Sequence, residues 1–359
     1  MRTSGDVTGE NWQRGVLGRP RTHILGWLRS LWPARNYSIV ASRCIGTQRL
    51  CGVIAVVLIG PAFTSFAGAA NTWAASSELA QSRVTKGQLS KAVVPRVNPF
   101  RIGRTLVIPH GGGDGLFPEN TLYAYEKSQA LGGDVIDIDV FMAANEVLIA
   151  MHDDTLDRTT NGTGRVGLTT YDAISKLDAG WNFKLDGKFP FRNKGIGVPT
   201  IEAVLKRFPK TPVTLDLKDQ RVANVVPVCT LLRKLKRTAD VYVGVDTAEQ
   251  VMAFRAACPE VATSGTDAER HAMRAARDAN DATFVTKQLV GQPRFRSDEG
   301  TKRITFEYLS FSHAKGIAVL TWVVDDPQDM AELVNLGVDG IYTRRPDVLV
   351  RVLRDLKKL

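Results

Sequence analysis

The residues best suited to chemistry in this chain are two histidines and a set of carboxylates. His110 ends the apolar run Leu106-Val-Ile-Pro and opens the glycine-rich turn His110-Gly-Gly-Gly-Asp-Gly. Glu119 follows at the start of a helical pattern, and His152-Asp153 closes a second apolar run. Histidine moves protons near neutral pH. Carboxylates hold a hard divalent cation, which neutralises phosphate charge. Together these are the residue types of a metal-assisted phosphate-ester hydrolase.

Asp137 and Asp139 lie two apart in Val135–Val140, so on a strand both side chains share one face. The other residues of that run are apolar. Two like charges on a buried strand repel and are costly to desolvate, and a cation between them resolves both problems. Asp216 repeats the pattern in Val213-Thr-Leu-Asp-Leu-Lys218, with Lys218 facing the same way. The structural reading is a buried Asp–Lys ion pair. The functional one is a third metal ligand beside a phosphate-binding lysine. Three carboxylates without cysteine or histidine ligands favour Mg²⁺ or Ca²⁺ over zinc. Arg158 serves either a loop ion pair or a phosphate contact. Trp322 serves either the core or a platform for a substrate's glycerol portion. Asn120, taken alone, is a helix cap.

These residues need elements to position them. Apolar strands are predicted at 106–109, 135–140, 147–151, 213–217, 241–245, 261–264, 283–286, 319–323 and 340–342. Helices are predicted at 121–131, 201–208, 222–236, 248–257, 268–278, 306–314, 327–335 and 346–357. This α/β alternation implies a buried parallel sheet, and about eight units over about 250 residues is the size of a TIM (β/α)8 barrel. A doubly wound open sheet is the alternative, but its Gly-x-Gly-x-x-Gly turn is absent. Residues 153–198 interrupt the alternation as a loop-rich insertion after an early strand, with Trp181, Phe183, Phe189 and Phe191. An insertion of that length is usually functional, and in a barrel it lies at the carboxyl-end face.

The formal charge of +10 suggests a nucleic-acid partner at first sight, but residues 1–69 hold eight arginines and two acids. The remainder has no basic stripe with interleaved aromatics, so no nucleic-acid partner is expected. Arg43 and Arg49, the apolar run Leu50–Gly60 and a small-residue end near Ala70 read as a signal peptide, or as an uncleaved membrane anchor. Residues 1–70 are therefore expected to be a leader, 71–103 a linker and 104–359 the barrel, of an exported protein. Cys229 and Cys258 then form one disulfide or stay as two buried thiols.

Several ordered segments resemble the glycerophosphodiester phosphodiesterase family: His110-Gly-Gly with Pro118-Glu-Asn-Thr, Asp137-Ile-Asp-Val, His152 through Gly164, Val198 through Leu205, Leu215-Asp-Leu-Lys, Thr321-Trp-Val-Val and Gly337 through Thr343. The match runs from about Val107 to Pro346. The resemblance implies a TIM barrel, a divalent metal and hydrolysis of glycerophosphodiesters to an alcohol and glycerol 3-phosphate. By position it implies His110 and His152 as the general acid/base pair. It also implies Glu119, Asp137, Asp139 and Asp216 as metal ligands, with Lys218 near the phosphate. The family's His-Arg-Gly is here His110-Gly111-Gly112, which removes a bidentate phosphate contact; Lys218, Arg158 or Lys287 is expected to compensate. Two other readings are a phospholipase-like enzyme, such as a lysophospholipase D, whose insertion touches a membrane, and a non-catalytic binding barrel.

Overall fold

The computed structural model describes residues 98–359 apart from Asp246, all within one unit. The elements run β1 (Leu106–Pro109), α1 (Leu122–Ala130), β2 (Ile136–Met142), β3 (Leu148–Ala150), α2 (Tyr171–Ile174), α3 (Ile201–Arg207), β4 (Val213–Leu217), α4 (Val225–Lys234) and β5 (Val241–Val245). They continue α5 (Ala248–Ala257), β6 (Ala262–Thr263), α6 (Asp267–Asp278), β7 (Val290–Gly291), α7 (Phe306–Ala314), β8 (Ala318–Thr321), α8 (Pro327–Leu336), β9 (Gly340–Thr343) and α9 (Pro346–Asp355).

Two ladders form, β1-β9-β8-β7 and β3-β2-β4-β5-β6. Every pairing is parallel except β2 with β3. The first strand pairs with the last, Leu106 opposite Gly340. That pairing belongs to a barrel and rules out the open doubly wound sheet. β1 meets β2 through Asp134, whose backbone N–H donates to the Val107 carbonyl (2.8 Å) and whose side chain accepts from the Val107 N–H (2.9 Å). Setting aside β3, a hairpin partner of β2, eight parallel strands remain in chain order.

The core has two layers. Strand residues such as Ile138, Leu215 and Val243 pack outward against Ile201, Val228 and Phe254 of the helices. Inside the barrel lie Ile108, Tyr242, Val290, Ala318 and Tyr342. Several helices begin where threonine ends a loop: the side chains of Thr121, Thr200, Thr247 and Thr305 each accept a backbone N–H of the first turn. Thr266 and Glu269 form a full capping box at α6.

Three expectations change, and the alternative left open for the cysteines is decided. The cap of α1 is Thr121, not Asn120, which takes a left-handed φ of 57° and turns its side chain into the barrel. Residues 283–286 are not a strand; the strand is β7, displaced toward Leu289 and Val290. Asp281 accepts hydrogen bonds from both the N–H and the hydroxyl of Thr283, a local turn that competes with extended pairing, and Val285 is left 87% exposed. Residues 98–103, expected to lie in a linker, stopper the amino-terminal end of the barrel. Phe100 is fully buried against Tyr242, and the Asn98 amide donates to the carbonyls of Leu289 and Gly316. Cys229 and Cys258 are joined as a disulfide between α4 and the end of α5. The expected leader lies outside the described residues. Among the described residues no helix is long and apolar enough to cross a membrane.

The insertion is not structureless. Leu156, Val166, Ile174 and Ile196 build a small core beneath it. Its aromatics chain inward, Phe183 on Phe191 and Phe191 on Tyr123 of α1, while Arg192 stacks on Trp181 and Phe189.

Candidate active site

β1 ends at His110, and the chain then makes a short 3-10 turn, His110–Gly112. Gly111, Gly112 and Gly113 all take positive φ, and a Cβ on Gly112 would meet that of Ala124 at 2.9 Å. The glycines therefore allow the turn to lie directly on α1. That placement aims the Gly111 N–H at Asp137 Oδ2 (3.0 Å) and brings His110 Nδ1 to 3.2 Å from Asp114 Oδ2.

The β2–β4 register sets the carboxylates. Asp139 lies opposite Asp216, and Asp137 opposite Thr214. Both β2 acids share one face, as their spacing predicts, and both are buried. Asp137 accepts from the Thr214 hydroxyl at 2.6 Å. Asp139 accepts from the Asn120 amide at 2.8 Å, while Asn120 Oδ1 accepts from the Asp139 N–H (3.0 Å) and the Tyr125 hydroxyl (3.1 Å). Lys218 Nζ lies 2.5 Å from Asp216 and 3.4 Å from Asp139. Gly244 is beside Asp216, where a Cβ would come 3.2 Å from its Oδ1.

His152 follows β3. Asp153, adjacent in sequence, does orient it: Nδ1 lies 2.8 Å from Asp153 Oδ1. Arg158 then clamps two carboxylates. It donates to both oxygens of Glu119 (2.7 and 2.6 Å) and both oxygens of Asp153 (2.6 and 3.0 Å).

His110, His152, Asp137, Asp139, Asp216, Lys218 and Trp322 line one cleft of about 1400 Å³ at the carboxyl ends of the strands. The other three predicted residues stand elsewhere. Glu119 and Arg158 are paired with each other and do not line the cleft, and Lys287 is exposed and does not line it either. Asp114, Asn120, Thr214 and Gln292 were not predicted. Gln292 links Tyr242 and Tyr342 across the barrel (2.8 Å each), and its carbonyl accepts from the Trp322 indole at 2.7 Å. The spacing of Asp114, four residues past His110 in the turn, was the available signal for it.

Burial alone would lower the His110 pKa. The Asp114 hydrogen bond and the negative fields of Asp137, Asp114 and Asp139 overcome it, so the imidazole is raised to about 9. Burial raises the Asp137 carboxyl, reinforced by Asp139 and opposed by His110. Burial likewise opposes the charge of Lys218, but Asp216 and Asp139 hold it firmly protonated. Asp153 is held below the carboxylate range by the Arg158 hydrogen bond.

Asp137, Asp139 and Asp216 are all-oxygen donors on neighbouring strands, as a hard cation requires. Lys218 supplies positive charge beside Asp216 and Asp139. Among the described residues, the donors that converge within 4.8 Å are Cys229, Cys258 and Glu260; the disulfide consumes both thiols, so this is not a metal site.

A (β/α)8 barrel with its polar cleft at the carboxyl ends of the strands has the arrangement in which barrel enzymes place their active sites. The Glycerophosphoryl diester phosphodiesterase family profile matches residues 110–348. A glycerophosphodiester phosphodiesterase of Bacillus subtilis (strain 168) is 30% identical over 284 residues, covering 74% of this chain and 94% of that one. The crystal structure of a glycerophosphodiester phosphodiesterase from Agrobacterium tumefaciens matches with a TM-score of 0.55 at 26% identity, over 70% of this chain and 99% of that one. An Oleispira antarctica phosphodiesterase, solved in complex with the product sn-glycerol-3-phosphate, shares the fold with a TM-score of 0.56 at 19% identity, over 70% and 97%. The chain belongs to the glycerophosphoryl diester phosphodiesterase family and is a phosphoric diester hydrolase.

Proposed function

We propose that this chain hydrolyses glycerophosphodiesters to an alcohol and glycerol 3-phosphate. His110 and His152 carry the protons, and a hard divalent cation, Mg²⁺ or Ca²⁺, is held by Asp137, Asp139 and Asp216. The observation that carries the reading is the shared cleft: two imidazoles, each on its own carboxylate, face three strand aspartates and Lys218. The cation, when bound, supplies charge neutralisation at the phosphoryl oxygens and relieves the buried Asp pair.

Asp114 and Asp153 engage Nδ1 of each ring, which leaves Nε2 to exchange protons with substrate. One histidine takes the proton of a glycerol hydroxyl as its oxygen attacks phosphorus. The other protonates the departing alcohol as its P–O bond breaks, leaving a cyclic glycerol phosphate. Water then attacks with the histidines in exchanged roles, and the ring opens to glycerol 3-phosphate. Lys218 contributes positive charge beside the phosphate. Glu119 and Arg158 act as positioning residues through Asp153 and His152 rather than by touching substrate.

Purified protein is expected to release glycerol 3-phosphate with Mg²⁺ or Ca²⁺ and to stop when a chelator is added. Undiminished turnover in chelator contradicts the role given to the aspartates. We also propose export, on the pattern of residues 43–70 and on the Cys229–Cys258 disulfide, which an oxidising compartment maintains. Activity confined to the cytoplasmic fraction of the producing cell contradicts it.

A further inference from the structure

The cleft extends well past the histidines. It continues over the ends of β6 and β7 to a second wall, where Arg270, Arg274 and Arg277 of α6, Arg294, Lys302 and Arg303 all face the cavity. Two carboxylates, Asp267 and Glu307, share that wall, so cations outnumber acids among its lining residues. The catalytic end of the same cavity carries the acids. A cavity of about 1400 Å³ exceeds the roughly 300–1,000 Å³ usual for a small-ligand site, so room remains beyond the glycerol phosphate portion.

Arg270, Arg274 and Arg277 are spaced to share one face of α6. Like charges four apart destabilise a helix by a few tenths of a kcal/mol, so the stripe does not serve the helix itself. Neutralisation within the protein is incomplete. Arg270 pairs with Asp267, Arg277 with Asp278, Arg294 with Asp298 and Lys302 with Glu332. Arg274 and Arg303 line the cavity with no carboxylate in ion-pair contact among the described residues. Arg294 lies over the Trp322 ring at 5.0 Å, which joins this wall to the predicted glycerol platform.

We propose that this wall is a second anion subsite, and that the leaving alcohol of the preferred diester carries its own negative charge. A phosphorylated or carboxylated alcohol fits; choline and ethanolamine, which are cationic, do not. The inference rests on the phosphodiesterase reading above and deepens it. It concerns a small anion inside the cleft, because the cations line the cavity that holds both histidines.

The test compares kcat/KM of the full chain on glycerophosphoinositol 4-phosphate, glycerophosphoglycerol and glycerophosphocholine at low salt. The anionic diester is expected to exceed the choline diester by about tenfold, the effect of two or three partly screened charge contacts, and the ratio to shrink as salt rises. The double variant Arg274→Ala/Arg303→Ala brings the ratio close to one, while Arg274→Lys/Arg303→Lys preserves most of it. A ratio of one in the unaltered chain, or a ratio unmoved by the alanine pair, overturns the subsite. Failure to cleave any of the three diesters overturns the phosphodiesterase reading, and this inference with it.

Discussion

Arg158 shows how one side chain can decide a site without facing substrate. Its planar fork spans two carboxylates in different loops and so sets the carboxylate that orients His152. Arg158→Lys should therefore cut kcat nearly as deeply as Arg158→Ala, because one ammonium cannot bridge both acids; a lysine variant with near-normal kcat contradicts the clamp. Asp114→Asn should leave the fold intact and lower kcat/KM by roughly 10- to 100-fold, the range for losing an orienting hydrogen bond on a catalytic or ligating histidine. His110 supplies a pH prediction. Its folded pKa, about 9, lies above the ordinary 6.5, so its stabilisation is complete below about pH 6.5 and is lost as pH rises through 9. Asp137, also raised, acts in the same direction at lower pH. Cation-free protein should thus lose melting temperature between pH 6.5 and 9, and saturating Mg²⁺ or Ca²⁺ should lower the His110 midpoint in an NMR titration. A midpoint unmoved by cation contradicts a cation among these aspartates. At this scale the sequence revealed charges but not their partners. The Asp137/Asp139 pair was readable because two-residue periodicity puts both on one face. Asn120 was misread as a cap because only the approach of β2 reveals its second use.

At the scale of elements, long amphipathic helices and apolar strands were readable because burial imposes their periodicity. The β7 assignment failed because the β-branched and aromatic residues at 283–286 satisfy local propensity while Asp281 turns the chain away, and the true strand has only two residues. The disulfide was undecidable from spacing alone, since Cys229 on α4 and Cys258 at the end of α5 meet only when the two helices pack side by side. It closes a loop of 29 residues between elements that do not bear the histidines. Cys229→Ser/Cys258→Ser should accordingly lower unfolding free energy by about 2–4 kcal/mol while leaving kcat within a factor of two. Denaturant unfolding of oxidised and reduced protein checks this; equal stabilities refute it. Gly340 lies on β9 with Leu320 and Ile108 so close that a Cβ would stand 2.8 and 2.9 Å from their methyls. Gly340→Ala should cost about 1–3 kcal/mol, the usual penalty for overpacking a core, and thermal melts will measure it.

The whole molecule is a barrel whose ends have different duties. The amino-terminal end is stoppered by Phe100 and tied by Asn98, and the carboxyl end gathers residues from strands far apart in sequence. Barrel topology was readable from the count of alternating units, but the cleft's basic wall was not. Its arginines belong to α6 and the β7–α7 connection and look in sequence like solvated helix charges; only closure of the barrel puts them in the same cavity as His110. The central claim is that His110 and His152 exchange protons with a glycerophosphodiester. Its most direct test is the rate of glycerol 3-phosphate release from glycerophosphoglycerol by the unaltered chain, His110→Ala and His152→Ala, each confirmed as folded by its melting transition and assayed with saturating Mg²⁺ or Ca²⁺. The account predicts a loss of at least about 100-fold for either variant, the scale of general acid–base catalysis. A folded variant of either histidine that retains near-normal release contradicts it.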